Sequence, residues 1–105
     1  MLVEVDGEIA GTISFRKIRE DAGEIKRMYV KPKFKGKKLG NFLIEEVIEI
    51  SQGNEFLKLY LDTAHFMSSA ISLYKKYGFK ETTFYPESVI PKGLLNTMIF
   101  MMKEL

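Results

Sequence analysis

Cysteine is absent from the 105 residues. That excludes a disulfide, a thiolate nucleophile and any cysteine-built metal site. Histidine occurs once, at His65, and the sequence shows no metal-ligand cluster and no Ser-His-Asp order. No apolar run approaches membrane-spanning length. The N-terminal MLVEVDGEIAG also lacks the basic-then-apolar signature of a signal peptide. There is no internal repeat, low-complexity tract or linker, and a net charge of +2 is too mild to imply nucleic acid. With 46% hydrophobic and 29% charged residues the composition is that of an ordinary soluble globular protein. The expectation is a single cytoplasmic domain over residues 1–105, with no nucleic-acid or membrane partner.

One further absence is local. Between Val30 and Gly40 the chain reads VKPKFKGKKLG, and no acidic residue accompanies Lys31, Lys33, Lys35, Lys37 and Lys38. The commonest meaning of such a charge run is a solvated turn. Here it precedes NFLIEEVIEI, in which apolar residues recur at helical spacing. A turn that opens a helix presents unpaired N–H groups and a partial positive charge, which together stabilise an anion. The expectation is a phosphorylated ligand at this turn.

The remaining elements are short. Leu2–Val5 reads as a strand, Asp6-Gly7 as a hairpin turn, and Glu8–Ile18 as a second strand. Arg19–Gly23 is a polar turn and Glu24–Val30 a third strand. The first helix is predicted over Leu39–Ser51, ended by Gly53-Asn54, and the next strand over Leu57–Leu61. Ser68 and Ser69 are candidate N-caps for a helix over Ala70–Tyr77, which Gly78 stops. Phe79–Tyr85 is a strand, Pro86–Gly93 a loop and Thr97–Met102 a final buried strand. The fold class is therefore α+β, in the order β-β-β-α-β-α-β-β, with helices on a mixed sheet.

This order, with GEIKRMYVKPKFKGKKLG (Gly23–Gly40), the helix after it and AISLYKKYGF (Ala70–Phe79), resembles the GNAT superfamily of acetyl-CoA-dependent N-acetyltransferases. The first segment is similar to that family's fourth strand and pyrophosphate loop, of form R/Q-x-x-G-x-G/A. The third is similar to its A-x-x-L-Y-x-x-x-G-F segment. The resemblance implies acetyl-CoA as cofactor and an amine, small or peptidic, as acceptor. It implies that Lys35, Gly36, Lys37, Lys38, Leu39, Gly40 and Asn41 form the pyrophosphate cradle, and that Met28, Tyr29 and Val30 splay from Leu57–Leu61 to bind the pantetheine arm. The Met28 N–H would donate to the thioester oxygen, where such a donor is worth a few kcal/mol.

Lys35 stands where the family has Arg or Gln, Lys38 where it has glycine, and Met67 where many relatives have asparagine. Tyr74 is the implied acid that protonates the departing thiolate; the alternative is a packed core aromatic. Glu24 is the candidate general base; the alternative is a charged strand end. Asp62 and His65, just past a central strand, stand where active-site groups often lie. Relatives usually begin with a further strand and helices, so an open or partner-completed acceptor site is expected. A homodimer is expected with it, pairing through the Leu2–Val5 edge or the C-terminal strand. A non-catalytic CoA-binding module is the second reading. A nucleotide binder of another fold is the third, against which LYKKYGF speaks.

Overall fold

The computed structural model describes residues 2–5, 7–34, 38–88 and 90–105, without the side chains at 2, 3, 5 and 92. Six strands form one sheet: β1 (Leu2–Val5), β2 (Glu8–Arg19), β3 (Ala22–Val30), β4 (Lys58–Ala64), β5 (Lys80–Thr82) and β6 (Met98–Glu104). Helix α1 (Leu39–Gly53) follows β3, and α2 (Ser68–Lys76) follows β4. The expected order of elements is the observed one, with short 3₁₀ turns added at Pro32–Phe34 and Lys92–Thr97.

Across the sheet the strands lie in the order β1-β2-β3-β4-β6-β5. Every pairing is antiparallel except β3 with β4, the crossover carried by α1. Both helices pack on one face. Leu43, Ile44 and Val47 of α1 and Tyr74 of α2 meet Ile13, Ile25, Leu59, Leu61 and Met101 of the sheet in one buried cluster. The spacing of residues 43, 44 and 47 is the apolar stripe of a helix, and 59 and 61 are alternate residues of a strand. On the other face, Ala22, Tyr60, Tyr85 and Phe100 form a second core. Tyr85 belongs to the segment between β5 and β6, which crosses this face like a strap.

Several expected boundaries move. Strand β4 runs on to Ala64, so Asp62 lies inside a strand paired with Phe100 rather than beyond its end. The turn between β2 and β3 shrinks to Glu20-Asp21, because pairing continues through Arg19↔Ala22. Ser68 and Ser69 are helical residues; the N-cap is Met67, which makes no capping bond. Strand β5 keeps only three residues, since beyond Thr82 the chain leaves the sheet to cross its face. Strand β6 is hydrogen-bonded on both sides, to β4 and β5. Of the two strands expected to pair with a second copy, β1 is therefore the one at the sheet's edge.

Candidate active site

One irregularity shapes the site. Opposite β2, Phe15 pairs with Ile25 but Ser14 pairs with Arg27, so Lys26 is an extra residue, a β-bulge. On its other side β3 pairs with β4 from Ala22↔Lys58 only to Ile25↔Leu61. Past the bulge the two parallel strands have no mutual pairing and the sheet opens. The bulge also inverts the alternation of side chains, so that Ile25 and then Met28 and Val30 pack on the helix-side core.

The backbone of the opened segment can be oriented from one hydrogen bond. The amide of Lys31 donates to the Ala10 carbonyl at 2.8 Å, which makes these two a hydrogen-bonded antiparallel pair. Alternation then assigns Tyr29 to β2 and turns the N–H and C=O of Met28 and Val30 away from it, into the gap. That gap is a cleft of about 270 Å³, lined by residues 25–29 of β3, Leu61, Asp62 and Thr63 of β4, and Met67, Ala70 and Tyr74 at α2.

Tyr74 is buried and stacks near Phe79, with ring centroids 5.7 Å apart. Burial, with a smaller contribution from the charge of Asp62, pushes its pKa up to about 12. Its hydroxyl therefore keeps its proton at neutral pH, and it lines the cleft beside Met28.

Helix α1 begins at Lys38, whose backbone is left-handed (φ 61°, ψ 24°) and whose side chain makes no capping bond. No acidic residue lies in the first turn, where Leu39, Gly40 and Asn41 present their amides. A Cβ on Gly40 would lie 3.0 Å from the Leu73 side chain, so glycine lets this turn approach α2 closely. Lys35, Gly36 and Lys37 lie outside the described residues. Two lysines of the run find an acidic partner from outside it: Lys33 Nζ lies 2.6 Å and Lys31 Nζ 3.5 Å from the Glu8 carboxylate of β2, which holds Glu8 below the usual carboxylate range.

Glu24 is fully buried, on the strap side of the sheet. Its carboxylate receives Arg16 Nε at 2.9 Å and the Tyr85 hydroxyl at 2.6 Å. It does not line the cleft. Asp62 does, and Ser88 Oγ donates to it at 2.8 Å; the Tyr85 oxygen lies 3.4 Å from the same Asp62 oxygen. Burial and its two carboxylate neighbours push the Tyr85 pKa well above the usual phenol value. The strap that delivers Tyr85 and Ser88 is itself tied down. Arg19 grips Glu87 through two bonds of 2.6 and 2.9 Å, and Arg16 donates to the Glu87 carbonyl at 3.0 Å. His65 is exposed in the turn after β4, edge-on to Phe66, and does not line the cleft.

Sequence reasoning missed Arg16, Tyr85 and Ser88. Tyr85 sits 61 residues from its partner Glu24, and no spacing rule joins them. The available signal was indirect: a glutamate in a strand flanked by apolar neighbours needs buried donors from somewhere.

Residues 1–79 match the acetyltransferase (GNAT) family. The chain belongs to that family. An uncharacterized N-acetyltransferase of Schizosaccharomyces pombe is 41% identical over 68 residues, covering 65% of this chain and 42% of that protein. The GNAT chain thus spans less than half of that relative's length. Among solved structures, an IAA acetyltransferase of Bacillus cereus superposes with a TM-score of 0.83 at 26% identity, over 99% of this chain and 75% of that one. A GNAT acetyltransferase of Elizabethkingia anophelis, solved with acetyl-CoA bound, has a TM-score of 0.82 at 29% identity, over 99% and 74%. Among the described residues no helix is long and apolar enough to cross a membrane, and no group of His, Asp or Glu is placed to hold a metal ion.

Proposed function

We propose that this GNAT chain is an acetyl-CoA-dependent N-acetyltransferase that passes the acetyl group directly to a primary amine. The observation that carries the reading is the opened sheet, where backbone donors of β3 and the proton-bearing hydroxyl of Tyr74 share one cleft. The site fits the cofactor: an uncapped helix start packs through Gly40 against Leu73 of α2, and a strand with N–H and C=O groups not paired to its neighbour forms the cleft wall.

The amides of Lys35–Gly40, with Asn41 beside them, would hold the pyrophosphate, and Met28, Tyr29 and Val30 the pantetheine arm. Acetyl-CoA supplies the thioester whose acetyl carbon the amine attacks. The Met28 N–H donates to the thioester oxygen as charge builds there. Tyr74 gives its phenolic proton to the departing sulfur. Glu24, the base candidate, has no face on the cleft, and neither does the Tyr85 that donates to it, so a proton from the amine would reach it through solvent. The reading includes a homodimer formed at the β1 edge, and a cytoplasmic location.

The test is thermal unfolding with acetyl-CoA, CoA and ATP, followed by thiol release over an amine panel. Stabilisation by both CoA species but not ATP, together with thiol release, is the expected result. Stabilisation without release from any amine would favour a CoA-binding module, and no shift with either CoA species would overturn the reading.

A further inference from the structure

We propose that Asp62 is the acceptor's anchor: its carboxylate pairs with the protonated amine of the incoming substrate and sets that nitrogen in the cleft, where the ammonium gives up one proton to solvent before its freed lone pair attacks the thioester. The proposal rests on the acetyltransferase reading and names the residue and charge state through which that site takes its second substrate. Four observations carry it.

Asp62 stands one residue beyond the last β3–β4 pair, where the sheet opens, and it shares the cleft with Met28 and Tyr74, whereas the buried Glu24 does not. Its side chain is oriented by Ser88 Oγ at 2.8 Å. The Tyr85 hydroxyl has one proton to give, and at 2.6 Å that proton goes to Glu24 rather than across 3.4 Å to Asp62. Asp62 is also uncompensated. Glu8, Glu24 and Glu87 each hold a lysine or arginine, and among the described residues no cation pairs with Asp62.

A half-buried carboxylate with one neutral donor and no counter-ion is stabilised by a cation that can enter. One carboxylate and one hydroxyl are too few ligands for a metal ion. An alkylammonium suits the charge. Approach is from the strap side, since Asp62 shares the strand face of Tyr60, opposite the face on which α1 and α2 pack. Cofactor and acceptor would thus reach the opening from opposite sides of the sheet.

The test is an NMR titration of the protein, free and CoA-loaded, with phenethylamine and with its uncharged isostere 2-phenylethanol. The wild type should bind the amine at least about tenfold more tightly than the alcohol. Asp62→Asn, which keeps an acceptor for Ser88, should remove that preference and leave the alcohol's affinity and the stabilisation by CoA unchanged. Ser88→Ala, which frees the carboxylate to rotate, should weaken the amine alone and stands in if Asp62→Asn fails to fold. A wild type that binds both probes alike, or an Asp62→Asn protein that keeps the preference, overturns the proposal. The acetyltransferase reading fails separately, through loss of stabilisation by acetyl-CoA, and the titration of the free protein does not depend on it.

Discussion

Tyr74 and Asp62 line one cleft and were differently legible. Tyr74 could be picked out because it sits in a segment, AISLYKKYGF, whose local pattern is distinctive. Replacing Tyr74 with Phe should lower kcat by roughly a hundredfold, with the thermal shift given by acetyl-CoA unchanged; unaltered turnover would remove Tyr74 from the chemistry. The pH dependence has a defined sign. Burial raises the folded-state pKa of Tyr74 from the usual 10.0 to about 12, so the folded form holds the proton more tightly. Its contribution to stability is complete below pH 10 and is lost as pH rises through 12. Urea midpoints measured across that interval should fall, and fall less steeply in Tyr74→Phe. Asp62 was noticed only as a residue near a strand end. That its charge is unanswered depends on which hydroxyl serves which carboxylate, a matter of tenths of an ångström between β4 and the strap.

Helix α1 carries two departures from an ideal element, and each predicts a stability change. Lys38 occupies a left-handed conformation that costs an L-residue with a Cβ about 1–2 kcal/mol. Glycine at this position relieves the strain but loses more entropy on folding, so Lys38→Gly should raise stability by roughly 0.5–1 kcal/mol in urea unfolding. An unchanged or lower midpoint would mean that the Lys38 side chain contributes contacts that offset the strain. The departure from the family's glycine was plain in sequence, but its backbone consequence was not. Ser51 is fully buried on the inner face of the same helix and its hydroxyl has no partner among the described residues. Ser51→Ala should stabilise by about 1 kcal/mol, because a buried hydroxyl without a hydrogen bond is costly and alanine is the better helix former. A destabilised variant would point to a water or a neighbour that satisfies Ser51.

For the whole molecule the consequence lies at the edges of the sheet. Strand β5 pairs over three residues before the chain turns onto the face, and β6 is interior, so β1 is the edge that offers the longer free backbone row. Light scattering at micromolar concentration should give the mass of a dimer; a monomer would remove the edge-pairing proposal without touching the cleft. The strap predicts a second global effect. Its Glu87 is held below the usual carboxylate range by Arg19, so this clamp favours the folded state above the ordinary glutamate pKa and loses that effect as the solution is acidified.

By itself the sequence determined the order of elements, the lysine-rich turn into α1 and the candidacy of Tyr74. Each is written within a few residues, in the period of apolar side chains, in glycine placement and in one short motif. Tertiary structure alone decided the bulge at Lys26, the opening between β3 and β4, and the placing of Tyr85 and Ser88 beside Glu24 and Asp62. Those outcomes depend on pairing between strands and loops far apart in the chain. A register shift of one residue inverts which side chains face the core, and no local pattern records it.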